Sequence, residues 1–138
     1  MKAYHKQRED NGMHIMLLLE RNLDCMVVYK NGFFDFGLWS IEATGHETIK
    51  KIAETGIVDG TKYRELQVDD KLADETTRIG TDYRIELNRL GIRPIYTELR
   101  SVEEKHHLLN SPVPKELKEF QDFQVLAREL YESAGIKL

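Results

Sequence analysis

Cysteine occurs once in this 138-residue chain, at Cys25, which excludes an internal disulfide and a cysteine-rich zinc site. Long apolar runs are missing too. No stretch approaches the roughly 20 residues of a membrane span, and the opening MKAYHKQREDNG lacks the apolar centre of a secretion signal. The expectation is a cytoplasmic protein with no membrane partner. Positive charge is in short supply: 20 Lys and Arg stand against 24 Asp and Glu, a net charge of −4. That balance argues mildly against a general grip on nucleic acid, although a few cations in one groove suffice for phosphate contacts. His46, His106 and His107 have no metal-ligand spacing with a cysteine or a second histidine. A glycine-rich phosphate loop is also lacking.

What is present reads as alternating elements. Residues 1–10 form a charged arm, expected to be mobile. Over residues 11–22, Met13, Met16, Leu17 and Leu19 share one helical face, and a helix is favoured there, with the continuous run HIMLLL as a competing short strand. Two β-rich runs then flank Asn31-Gly32, a dipeptide suited to a two-residue type I′ turn. That turn predicts Tyr29 opposite Phe34, Val27 opposite Phe36 and Cys25 opposite Leu38, with Asp35 and Trp39 on a second, mixed face. Thr44 and Glu47 make a capping box for a helix over 45–55 that stops at Gly56. TKYRELQV reads as a strand.

The strongest periodicity follows. Leu72, Thr76, Ile79, Tyr83, Leu87 and Leu90 mark one face of a long helix, capped by Asp69 or Asp70 and ended at Gly91. IRPIYTEL is a further strand, which its proline places at a sheet edge. Residues 101–110 suggest a short helix, NSPVP a break, and Leu117, Phe120, Phe123, Ala127 and Leu130 an amphipathic C-terminal helix. The expected class is α/β, a single domain with a mixed central sheet flanked by helices.

The acids of VDDKLADETTRIGTDYR, residues 68–84, have a plain explanation: carboxylates are favoured near a helix N-terminus by free N–H groups and the helix dipole. Their setting adds a second one. A strand ending in QVDDK, a helix, then GIRPIY has the layout of the PD-(D/E)xK nuclease core. Over residues 63–99 the chain resembles its very-short-patch-repair-like (Vsr-like) branch, which includes the EDxHD homing endonucleases. Asp69 stands as the strand-end acid, Asp82, Tyr83 and Arg84 match the helix motif, and Leu87, Leu90, Gly91 and Ile92 match the turn into the last strand.

The resemblance implies a restriction-endonuclease-like core over 11–99, with residues 100–138 as a helical extension packed on it. It implies a DNA endonuclease or nickase that hydrolyses phosphodiester bonds with Mg²⁺ or Mn²⁺. Asp35 and Asp69 would be the metal ligands, Asp74 and Glu20 would assist, and Lys71, Arg78 and Arg84 would meet phosphate. Two positions depart from the pattern. Gln67 stands where many relatives have glutamate, and Ala73 where a catalytic histidine is expected. An inactive nuclease is therefore one reading left open, and a non-catalytic module of the same fold, binding a protein, nucleic acid or a second copy of itself, is another.

Overall fold

The computed structural model describes residues 1–9, 12–19, 25–30, 36–41, 46–58, 60–91, 95–96 and 115–138. Eight strands and three helices fall within them. In chain order these are β1 (Lys2–Gln7), β2 (His14–Leu19), β3 (Cys25–Lys30), β4 (Phe36–Ile41), α1 (His46–Thr55), β5 (Ile57–Val58), β6 (Thr61–Lys62), β7 (Arg64–Gln67), α2 (Asp70–Arg89), β8 (Ile95–Tyr96) and α3 (Lys118–Ser133). The main sheet has the order β7-β1-β2-β3-β4-β8. Its first five strands are antiparallel, and β8 joins parallel to β4 at the edge. The class is mixed α/β, as the pattern predicts.

Both faces of the sheet's centre are buried. Ala3, Met16, Leu18, Met26, Val28, Phe36 and Leu38 form one core with α2 and α3. Tyr4, Ile15, Leu17, Val27 and Tyr29 form a second with Ile49 and Ile52 of α1. This two-sided burial explains the largest corrections. HIMLLL is strand β2 and not a helix, because a strand covered on both faces needs no polar alternation and its continuous apolar run mimics a helical face. Residues 2–7 are not an arm: they form the strand between β7 and β2, with Ala3, Tyr4 and His5 buried and the charged and amide groups at its ends.

The β3–β4 connection is also longer than expected. Lys30 pairs with Phe36, Val28 with Leu38 and Val27 with Trp39, so residues 31–35 link the strands and the register is three residues away from the two-residue turn. An odd shift moves every side chain to the other face. Phe36 thus joins the core under α3, while Val27 faces α1. Gly37 lies opposite Tyr29, and the tyrosine ring occupies the space beside it: a Cβ there would sit 2.2 Å from Tyr29 Cζ. The glycine is the site where an aromatic ring crosses to the neighbouring strand.

Helix α2 follows its expected bounds, with Asp69 as N-cap and Gly91 at φ +81° beyond the end. Its buried residues are Ala73, Thr76, Gly80, Tyr83 and Leu87, while Leu72 and Ile79 are half-buried and Leu90 is exposed. Gly80 lets the helix approach the sheet; a Cβ there would meet Met26 Sδ at 2.7 Å. Tyr83 then packs on Phe120 and Phe123 of α3. The stripe of α3, with Phe123, Ala127 and Leu130 fully buried, is consumed inside the chain. Thr44, the short helix at 101–110 and the NSPVP break lie outside the described residues.

Three substitutions check this architecture. Ala3→Asp, which puts an unpaired carboxylate into a closed core, is expected to cost more than about 3 kcal/mol in a denaturant titration; a surface arm would register within about 0.5 kcal/mol. Gly37→Ala, set against a rigid ring, is expected to destabilise by about 1–3 kcal/mol. Gly80→Ala, where a flexible methionine tip yields and helix propensity improves by about 1 kcal/mol, is expected to cost less.

Candidate functional site

Strand β7 delivers Asp69 to the start of α2, where the carboxylate does an ordinary job. It accepts a hydrogen bond from the Leu72 backbone N–H at 2.8 Å, and its carbonyl accepts from Ala73 N–H at 2.9 Å. Asp70, next in line, is ion-paired with the Met1 ammonium, which also donates to the Val68 carbonyl. Beyond the cap, Lys71, Asp74, Arg78 and Asp82 are exposed along α2, and Arg84 is half-buried. Opposite charges alternate along this face at steps of three and four residues, the arrangement of a solvated helix surface.

Ala73 points the other way. Its side chain is fully buried in the core shared by α2, α3 and the sheet. Neighbours in a helix are about 100° apart, so Asp74 faces water while Ala73 faces the interior. A histidine side chain at 73 would overpack this core. Gln67 is exposed on the edge strand, level with Lys2 of β1.

Glu20 and Asp35 lie outside the described residues. Phe36, which follows residue 35, is nevertheless placed, as is Lys30 at the end of β3. Phe36 is level with Lys30, His14 and Gln7, at one end of the sheet. Gln67 is level with Lys2, at the other end. Five residue steps, roughly 17 Å, separate these levels, and four strand spacings, roughly 19 Å, separate β7 from β4. Phe36 and Gln67 thus stand at opposite corners of the sheet. Among the described residues no group of three or more His, Cys, Asp or Glu side chains could hold a metal ion.

A different cluster of ionisable groups is brought together at the Phe36 end. His5 of β1 and His14 of β2 are both buried, with Nε2 of the first 2.9 Å from Nδ1 of the second and the rings stacked at 5.1 Å. Tyr131 of α3 presents its ring edge-on to both, and its hydroxyl donates to the Val28 carbonyl at 2.6 Å. Phe36 packs against Tyr131, with Lys30 Nζ and the Arg128 guanidinium each about 5.5 Å from its ring. Gln124 of α3 accepts from Phe36 N–H and donates to its carbonyl, both at 2.7 Å, in the manner of a neighbouring strand.

Burial, then the His14 and Arg64 charges, push the His5 imidazole down to about 4. Burial and Lys30 lower that of His14 as well. Burial alone raises the Tyr131 hydroxyl far above its usual range. Both histidines are therefore neutral near pH 7, one imidazole N–H donating to the bare nitrogen of the other. Sequence reasoning passed over this pair, because His5 fell in the presumed arm and His14 at the head of an apolar run. The available signal was Gly12, whose φ of +72° lies in the link that folds β2 back on β1 and sets Gln7 opposite His14.

Comparison with known protein families, with curated proteins and with solved structures finds no match to this chain.

Proposed function

We propose that this chain is a non-catalytic α/β binding module whose partner is a protein, engaged through the exposed face of α2. It keeps a strand–helix–strand order, as β7, α2 and β8, and among the described residues no group of carboxylates is placed to hold a metal ion. The observation that carries the reading is the position of Asp69: it caps a helix at the corner of the sheet opposite Phe36. The charge of the α2 face favours a protein over a nucleic acid. A phosphate backbone held by Lys71 and Arg78 would also meet Asp74 and Asp82, interleaved on the same face. A protein surface can match both signs and can cover Ile85, which is 47% exposed on this helix.

The hydrolytic alternative makes opposite demands. Titration with Mn²⁺ by calorimetry is expected to show no heat that Asp69→Asn removes, and the native chain is expected to leave supercoiled plasmid intact in Mg²⁺ or Mn²⁺. A nick, or Mn²⁺ binding abolished by Asp69→Asn, overturns the proposal in favour of an endonuclease. Salt-sensitive retention of a duplex that Lys71→Glu with Arg78→Glu eliminates would replace the protein partner with DNA.

Stability separates the two acids in a second way. Asp69→Ala is expected to lower unfolding free energy by about 1 kcal/mol through loss of the cap, while exposed Asp74→Ala stays within about 0.5 kcal/mol. Asp69→Asn, which still caps, is expected to cost little.

A further inference from the structure

The His5–His14 pair has no part in the α2 face, and its geometry sets a limit on its protonation. At 2.9 Å, one proton fits between the facing nitrogens. A first added proton goes to an outer ring nitrogen and leaves the hydrogen bond intact. A second would set two N–H groups head to head, which that distance does not admit. We propose that the pair is an acid-operated latch: protonation of both imidazoles separates them and lifts the C-terminal half of α3 from the sheet.

The latch acts on α3 because that helix is seated on the pair. Tyr131 rests edge-on against both rings, reaches past them to the Val28 carbonyl, and packs on Phe36. Imidazoles forced apart would push directly on this ring, which is fully buried. The cations beside the pair oppose its protonation. Arg64 of β7 is the cross-strand partner of His5, Lys30 of β3 is that of His14, and on α3 Arg128 stands over Phe36 beside the neutral Tyr131. The charges acting on the two imidazoles, among the described residues, are Arg64, Lys30 and each other, and none is a carboxylate.

The sign follows from these lowered values. The unfolded chain binds protons on its histidines near pH 6.5 while folded His5 does so only near 4. Stability is complete above about pH 6.5 and is lost as the pH falls toward 4. From pH 7 to 4.5, His5 alone lowers the folding constant roughly fiftyfold, and His14 adds to it in the same direction.

Denaturant titration of the full chain at several pH values tests the latch. The native protein is expected to show this loss. The double variant His5→Gln, His14→Gln, whose amides can bond to each other without titrating, is expected to show a shallower one. An unchanged pH slope overturns the proposal. Hydrogen exchange of the native chain, corrected for intrinsic rates, gives the second arm and does not depend on the variant folding. At pH 5, amides of residues 127–133 are expected to lose protection before those of residues 80–87; simultaneous loss in both helices overturns a latch on α3. Neither arm needs a partner bound to α2, so the partner proposal stands or falls separately.

Discussion

Two-sided burial of β2 and β3 is the constraint from which the remaining architecture follows. Ile15, Leu17, Val27 and Tyr29 face one way and Met16, Leu18, Met26 and Val28 the other, all removed from water. At roughly 1.5–3 kcal/mol for each large apolar side chain, neither face can stay open. Helix α1 closes the first, tied to β1 by the Tyr4 hydroxyl donating to the Ala53 carbonyl at 2.9 Å. Helices α2 and α3 close the second. The apolar stripe of α3 and the apolar face of the β3–β4 hairpin are thereby spent within the chain. Among the described residues, the outer surface that remains is charged, with single exposed apolar side chains such as Ile85.

That same constraint decides what was legible in the sequence. Helix α2 was, because its signals are local: Asp69 accepting from Leu72 N–H, polar residues outward, Gly91 at positive φ. Helix α1 was legible for the same reason, with Gly56 N–H donating to the Ile52 carbonyl at its end. Strands β1 and β2 were not, because periodicity reports one-sided burial and loses its meaning when both faces are covered. In β1 only three consecutive residues are buried, too few to stand out between Lys2 and Lys6. The β3–β4 register failed differently. Asn31-Gly32 fits a tight turn by chemistry, but the pairing that places Phe36, Leu38 and Met26 in one core with α3 needs a longer connection. Packing of the whole face outweighs the preference of one dipeptide.

Whether two strand-end acids can share an ion is a question of strand direction. Carboxylates at the ends of two strands converge only if those ends lie on the same side of the sheet and the strands are near neighbours. Strand β7 pairs with β1, and three antiparallel steps through β1 and β2 leave β3 running against it. The end of β3 and the end of β7 therefore point in opposite directions. Nothing local in QVDDK or FFDFG encodes this, since it depends on the long-range choice of β1 as the partner of β7.

The histidine pair is where the chain departs most from what its core would favour. Two apolar side chains at positions 5 and 14 would continue the rows of Ala3 and Met16 without a desolvated polar group. Instead, two imidazoles share one hydrogen bond, flanked by Arg64 and Lys30 and sealed by Tyr131. A buried pair satisfied in one protonation state and unsatisfiable in another adds little net stability, because its hydrogen bond only offsets the cost of leaving water. What it does add is a dependence of α3 docking on proton concentration, which no arrangement of leucines supplies. Local breaks with the packing rules are expected at functional positions. By that criterion the end of the sheet under Tyr131 has a stronger physical claim to a role than the acids at the start of α2, which break no rule.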